Sequence, residues 1–184
     1  AVLRHGQHRS GKLALLEELL STILAEGEKA LIFTQYKEFG EYLSDYVRKR
    51  FGVPAPFLHG SLRREERDAM VDSFQSPDGP PIMVLSLKAG GTGLTLTAAN
   101  HVIHYDRWWN PAVENQATDR AYRIGQTKDV QVRKLVCDGT IEERIDDIIS
   151  HKSTMSDLVV STGETWLTEL DDEQLQELFR LEVT

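Results

Sequence analysis

The stretch Ile82–Leu96, IMVLSLKAGGTGLTL, joins an uninterrupted apolar run to a glycine-rich turn. A short apolar run bounded by turn residues is typical of a strand buried on both faces of a parallel sheet. Glycines permit positive φ and let backbone N–H groups converge on an anion; those of this turn are Gly90, Gly91 and Gly93. Lys88 stands at its entrance. By itself the turn is compatible with two structures, a tight strand-to-helix connection and a phosphate contact.

Similar apolar runs alternate with helical stretches along most of the chain. The predicted strands are Lys29–Phe33, Ala55–Leu58, Ile82–Leu87, His101–Tyr105 and Val130–Val136. One helix is predicted to begin after Ser10, and three others cover Glu38–Arg50, Arg63–Phe74 and Pro111–Ile124. Repeated strand-then-helix units predict an α/β fold, with a parallel sheet, helices on both faces and right-handed crossovers. Such sheets bind ligands at the carboxyl ends of their strands, so we expect the functional residues there.

Gly6–Leu13, GQHRSGKL, has the spacing of a phosphate-binding P-loop, but its residues argue against that function. Leu13 follows Lys12 and offers no oxygen to Mg²⁺, and the five residues before Gly6 are too few for a buried strand. Apolar residues then recur at helical spacing. We predict that Ser10 caps a helix here and that the segment is not a phosphate loop.

The net charge of −8 by itself argues against a nucleic-acid partner, but the charge is unevenly distributed. Residues 138–184 contain 13 acidic and 3 basic residues, a net charge of −10. The first 137 residues therefore carry a net charge of +2. A local basic face is compatible with that composition.

Other compositional features limit the class of protein. No apolar run approaches the roughly 20 residues of a membrane span, and no signal peptide opens the chain. Cys137, the one cysteine, excludes an internal disulfide, fits a reducing compartment and lies in an apolar run that predicts a core position. The six histidines lack metal-ligand spacing, so no metal site is predicted. The chain starts without Met, which predicts a fragment.

A polar face is predicted on the helix of Asn110–Gln126, NPAVENQATDRAYRIGQ. Three side chains recur at i, i+4 and i+7 and so share one side of it: Gln116, Arg120 and Arg123. Arginine presents a planar fork of donors that never loses its charge, which suits the oxygens of a transferring phosphoryl group. The alternative is that Glu114 and Asp119 hold the arginines in surface ion pairs of little energetic value.

QATDRAYRIGQ resembles the sixth helicase motif of superfamily-two ATPases, and its RIGQ ending is similar to that of Swi/Snf-type DNA translocases. KALIFTQY resembles the fourth motif, FLHGSLRREERDAMVDSF the segment after it, and VLSLKAGGTGLTLTAANHVIHYDRWWNP the fifth motif with its extension. RSGKL is typical of the start of this domain, and TIEERI of the helix after the last motif. The resemblance covers Ser10–Met155 in the family's order, and Asp157–Leu181 is similar to the tail of bacterial and archaeal members.

The resemblance implies a motor of two RecA-like lobes with ATP in the cleft between them. The P-loop and Asp-Glu box that hold phosphates and Mg²⁺ belong to the first lobe and are absent from this sequence. The chain is therefore similar to the second lobe alone, a RecA-like parallel sheet with a C-terminal helical brace. Its expected divisions are a leading segment (1–11), the lobe (12–137) and an acidic brace helix with tail (138–184). Many relatives have Asn where this chain has Thr95, and no role is carried onto that residue.

The resemblance also implies roles for single residues. Arg120 and Arg123 are implied to be arginine fingers that reach the γ-phosphate of ATP, with Gln116 as their polar partner. Gly91 and Gly93 are implied to lie near the nucleotide. The residues implied to line the path of one DNA strand are Thr34, Gln35, His59, Gly60, Ser86, Lys88 and Trp109. For Trp109 an ordinary buried indole is the alternative. Such a protein follows the phosphate backbone with little sequence preference.

The implied function is the second motor lobe of an ATP-dependent double-stranded DNA translocase or remodelling ATPase, inactive as this fragment alone. The implied partners are duplex DNA, the first lobe of the same protein and a DNA-bound protein, with no membrane. The expected location is cytoplasmic and DNA-associated in a prokaryote, and nuclear in a eukaryote. Two other functions stay open: a lobe of a strand-separating DNA or RNA helicase, and a catalytically inactive adaptor for protein contacts.

Overall fold

The computed structural model describes residues 11–86, 95–106, 115, 118–119, 129–137 and 142. Within them the helices are α1 (Gly11–Ala25), α2 (Lys37–Phe51) and α3 (Arg64–Gln75). The strands are β1 (Ala30–Thr34), β2 (Phe57–Leu58), β3 (Ile82–Ser86), β4 (His101–His104) and β5 (Gln131–Lys134). A search of the same residues finds no helix whose length and apolar character would suit a membrane span.

The five strands form one parallel sheet in the order β2-β3-β1-β4-β5. The parallel sheet and the approximate position of every predicted strand are confirmed. The first strand of the chain lies at the centre of the sheet, between β3 and β4. β2 is shorter than the predicted Ala55–Leu58, because Pro56 has no N–H to donate to a neighbouring strand. The strands all end on one side of the sheet, and these ends with the residues that follow them are called the carboxyl edge below.

Helices cover both faces of the sheet, as predicted. On one face, Ala30 and Ile32 of β1 belong to the same buried cluster as Leu16 of α1 and Leu43 of α2. On the other face, Phe33 of β1 shares a cluster with Phe74 of α3. Alternate residues of β1 thus face opposite layers, and all five are buried, which explains the uninterrupted apolar run in its sequence.

The ends of α2 follow from its local sequence. The helix stops at Gly52, whose φ of 67° is in the left-handed region and whose N–H donates to the carbonyl of Arg48 at 3.0 Å. Glycine adopts this conformation without the steric cost of a Cβ, and it is the usual residue at this position of a helix end. Three basic residues fill the last turn, where they oppose the negative end of the helix dipole. Because α2 begins three residues after the end of β1, it runs from the carboxyl edge back towards the opposite edge.

We expect Gly40→Ala to destabilise the fold. Gly40 is buried on α2, and a Cβ at this position would lie 2.3 Å from two ring carbons of Phe57, which is itself 8% exposed. Alanine in a helix gains about 1 kcal/mol over glycine, but forcing an extra methyl group into a packed core costs about 1–3 kcal/mol. The difference between these terms is an expected net loss of up to about 2 kcal/mol in the free energy of unfolding, measured by urea titration.

Gly11→Ala is the matched control for this prediction. Gly11 is also a helical glycine, in the first turn of α1, and no heavy atom lies within 4 Å of the Cβ that the substitution would add. Because only the helix-propensity gain applies at this position, the free energy of unfolding should rise by up to about 1 kcal/mol. Equal effects of the two substitutions would contradict the close packing of α2 against β2.

Candidate functional site

The carboxyl edge brings together the predicted site residues that the structure describes. Thr34 of β1 and Ser86 of β3 are direct neighbours in the sheet register, and both are buried. Gln35 follows Thr34 and is half-buried. His59 and Gly60 follow β2 on the same edge, the first half-buried and the second exposed. Their role as DNA contacts stays a prediction.

Asp106 is a residue of this edge that the sequence analysis missed. Its Oδ2 accepts a hydrogen bond from the hydroxyl of Thr34 at 2.5 Å and another from the backbone N–H of Gln35 at 3.2 Å. Charge-assisted hydrogen bonds of this kind are stronger than neutral ones. The carboxylate therefore fixes the turn between β1 and α2 to the end of β4. A signal was present in the sequence, since Asp106 directly follows the predicted strand His101–Tyr105.

His59 occupies the start of the connection between β2 and α3. Its ring centroid lies 5.1 Å from that of Phe57, and its carbonyl accepts the N–H of Leu62 at 3.2 Å. Its buried Nδ1 has no hydrogen-bond partner in the part of the chain that the structure describes. Glu66 of α3 lies near His59. Hydrogen bonds from the Arg63 side chain, the largest cause, and from the Arg63 backbone N–H hold the pKa of the Glu66 carboxyl below its ordinary value. The neighbouring His59 lowers this pKa further.

The helix predicted at Pro111–Ile124 is described at three positions. Asn115 and Thr118 are helical, and the N–H of Asp119 donates to the carbonyl of Asn115 at 2.8 Å. The hydroxyl of Thr118 lies 3.0 Å from Nε2 of His104, the last residue of β4, which is fully buried and stacks on Phe33. Thr118 thus connects this helical segment to the carboxyl edge.

Lys12, the lysine of the P-loop-like spacing, is used inside the fold. Its Nζ donates to the carbonyl of Tyr105 at 2.9 Å and to Glu142 Oε1 at 2.7 Å, and it is only 8% exposed. A P-loop lysine must direct its amine at a bound phosphate. Lys12 instead joins α1 to Tyr105, the residue before Asp106, and to Glu142.

Several predicted positions lie outside the described residues, and their roles stay predictions. They are Ser10, Lys88, Gly90, Gly91, Gly93, Trp109, Gln116, Arg120 and Arg123. Cys137 is described, and it is half-buried rather than a core residue. It ends an apolar run just after β5, and its backbone N–H donates to Oε2 of Glu142 at 3.2 Å.

Within the described ranges, one group has the composition of a metal site, and it lies at the edge opposite the carboxyl edge. Glu26, Glu28 and His101 bring one potential ligand atom each within 4.8 Å of the others. Arg133 Nη1 lies 2.9 Å from Nδ1 of His101. Because arginine can only donate, Nδ1 accepts and Nε2 carries the proton, which it donates to Glu28. His101 is thus used in hydrogen bonds to Glu28 and Arg133, and because its second ring nitrogen faces an arginine and not an acceptor, the residues do not fit a metal ligand set.

A family model described as the helicase conserved C-terminal domain matches residues 11–125. The chain is 56% identical over 176 residues to the Bacillus subtilis protein YwqA, whose name describes an ATP-dependent helicase/translocase, with 96% of this chain and 19% of that protein covered. It is 41% identical over 181 residues to the human chromatin-remodeling ATPase INO80, with 93% and 12% covered. The chain thus spans about a fifth or less of the length of these curated relatives.

Two solved structures of SWI2/SNF2 ATPases are also similar to this chain. The Sulfolobus solfataricus SWI2/SNF2 ATPase core in complex with dsDNA is 44% identical with a TM-score of 0.79, over 95% of this chain and 36% of that one. The C-terminal domain of the Sulfolobus SWI2/SNF2 ATPase is 41% identical with a TM-score of 0.74, over 95% of this chain and 71% of that one.

Proposed function

The chain belongs to the helicase conserved C-terminal domain family, and on that premise we propose that it is the second motor lobe of an ATP-dependent double-stranded DNA translocase. Its relatives are SWI2/SNF2-type ATPases. The observation that carries the proposal is the similarity to the Sulfolobus core that was solved with dsDNA. ATP and Mg²⁺ would bind between this lobe and a first lobe that supplies the P-loop.

The side chains exposed at the carboxyl edge are of the kinds that bind nucleic acid. Gln35 follows β1, and His59 and Gly60 follow β2, on either side of β3; they combine amide, imidazole and backbone groups that reach solvent at the carboxyl edge. Groups of this kind bind phosphate and sugar, which positions a protein on DNA without reading its sequence. Thr34 and Ser86 are buried beneath this surface, and Thr34 supports it through its hydrogen bond to Asp106. Lys88 and Trp109 are proposed as further DNA contacts.

The contact between Thr118 and His104 supports the proposed arginine fingers. Successive residues of an α-helix are turned by about 100°, so positions 116, 120 and 123 lie about 140–160° around the axis from position 118. A helix that had Thr118 against β4 and continued past Asp119, which is described as a turn, would direct Gln116, Arg120 and Arg123 away from the sheet. The proposal requires the facing lobe with bound ATP to lie on that side. Arg120 and Arg123 would then stabilise charge on the transferring phosphoryl group.

The proposal is tested with the full-length protein that contains this chain. We expect duplex DNA to stimulate its ATPase, and the stimulation to grow with duplex length, because a translocase hydrolyses ATP as it moves. The isolated 184 residues should release phosphate no faster than buffer, since the phosphate-binding half of the site is absent from them. Phosphate release is measured for both proteins with and without duplex DNA.

Three outcomes would contradict the proposal in different ways. Hydrolysis by the isolated chain would overturn its assignment as one lobe of a two-lobed site. Separation of a forked duplex by the full-length protein would favour the strand-separating helicase instead. A full-length protein with no ATPase activity would favour the adaptor.

A further inference from the structure

Tyr36 is the most exposed large hydrophobic side chain in the part of the chain that the structure describes. It is 62% exposed, against 38–44% for the others, which are Leu15, Tyr42 and Val132. It directly follows Gln35 at the carboxyl end of the central strand. A large ring is therefore presented to solvent on the surface proposed to face DNA.

Three aromatic side chains of α2, those of Phe39, Tyr42 and Tyr46, form a row of ring contacts that extends to Tyr105. Ring centroids lie 5.9 Å apart for Phe39 and Tyr42, 6.0 Å for Tyr42 and Tyr46, and 4.8 Å for Phe39 and Tyr105. The ring of Tyr36 takes no part in this row, and no hydrogen bond or ring contact of its side chain is found within the described residues. Within the described residues, the ring of Tyr36 therefore has neither a polar nor an aromatic partner.

The backbone on either side of Tyr36 is nevertheless held in place. Before it, Asp106 accepts hydrogen bonds from the Thr34 hydroxyl and the Gln35 N–H. After it, the carbonyl of Tyr36 accepts the N–H of Gly40 at 2.9 Å, which closes the first turn of α2. Because this backbone has little conformational entropy left to lose, an intermolecular contact of the ring would have to fix only the side-chain torsions of Tyr36.

We propose that Tyr36 contacts the sugar–phosphate backbone of duplex DNA. The inference rests on the proposed function, which places DNA along the carboxyl edge. Tyrosine has an apolar face and a polar tip, so the ring can pack against deoxyribose while the hydroxyl donates to a phosphate oxygen. Bases of an intact duplex are stacked and paired, so the contact is with the backbone and carries no sequence preference.

The test compares Tyr36→Ala, Tyr36→Phe and wild type in the full-length protein. The dissociation constant for a fluorescently labelled duplex should rise about 5–10-fold in Tyr36→Ala and less in Tyr36→Phe, which keeps the ring. The duplex concentration that half-stimulates the ATPase should rise by the same factor. The melting temperature should not change, because the side chain has no partner within the described fold. Tyr42→Ala is the matched control: it removes another exposed aromatic of α2, about 9 Å further along the helix, and should leave the dissociation constant unchanged.

Each contrary outcome identifies which statement is wrong. If wild type binds duplex and Tyr36→Ala binds it equally well, the Tyr36 contact is refuted while the proposed function stands. If Tyr42→Ala weakens binding as much as Tyr36→Ala, the effect comes from α2 as a whole and the contact is again refuted. If wild type itself fails to bind duplex DNA, the proposed function fails and the inference fails with it.

Discussion

Arg123→Ala in the full-length protein is expected to slow DNA-stimulated ATP hydrolysis by about 10³-fold or more. An arginine finger acts on charge that develops in the transition state, so its loss should lower kcat far more than it weakens ATP binding. Arg120→Ala should behave similarly. Arg123→Lys should recover little activity, because a single ammonium cannot reproduce the planar fork of the guanidinium. Steady-state phosphate release at saturating duplex gives kcat and KM separately.

Arg48→Ala is the control that separates this prediction from the ion-pair alternative. Arg48 pairs with Asp45 at 2.8 Å on α2, with both side chains more than half exposed. It lies in the last turn of α2, away from the carboxyl edge. Exposed pairs of this kind contribute about 0–1 kcal/mol, so the substitution should leave kcat unchanged. If Arg123→Ala proved as mild as Arg48→Ala, the two predicted fingers would be surface ion pairs.

Lys12→Met is expected to lower the free energy of unfolding by about 2–3 kcal/mol. The substitution keeps an apolar stem of similar length but removes the amine that binds the Tyr105 carbonyl and lies 2.5 Å from Oε2 of Glu142. Removing one partner of a buried ion pair leaves the other charge uncompensated, and the expected loss is reduced here because Glu142 is 22% exposed. The melting temperature of the chain should fall by about 5–10 °C.

Two further variants test whether the loss of stability in Lys12→Met comes from its buried ion pair. Lys37→Met removes a lysine from the pair with Glu41, whose atoms are 3.8 Å apart and well exposed, and should cost less than about 0.5 kcal/mol. Adding Glu142→Gln to Lys12→Met removes the uncompensated charge and should recover about 1 kcal/mol or more. A loss for Lys12→Met no greater than that for Lys37→Met would show that solvent replaces the amine.

The strands and helices were predictable because their signals are local. The run KALIF predicts β1 within one residue, since a strand buried on both faces needs apolar side chains on every position. The leucine spacing that predicts α1 depends only on the helical period. The rejection of the P-loop was also local, because it depended on the neighbours of Lys12 in the sequence.

The partners of the polar residues were not predictable in the same way. The sequence places Thr34 and Gln35 at the end of a strand, but nothing near them indicates that Asp106, 72 residues after Thr34, accepts their hydrogen bonds. The neighbours of Lys12 in the sequence argue against phosphate binding, but they do not indicate its use as a buried cation, because Glu142 is 130 residues away. The exposure of Tyr36 was missed too, since an aromatic residue at the start of an amphipathic helix is more often packed.

The sequence by itself determined the element types, the parallel α/β fold and the family, because apolar period and motif letters are properties of neighbouring residues. Only the tertiary structure decided that β1 lies at the centre of the sheet, that Asp106 fixes the turn before Tyr36, and that Lys12 joins α1 to Glu142. The physical reason is that such contacts depend on strand order and on where each crossover returns the chain. Residues far apart in sequence meet only when the sheet has formed, and local periodicity carries no information about which of them will meet.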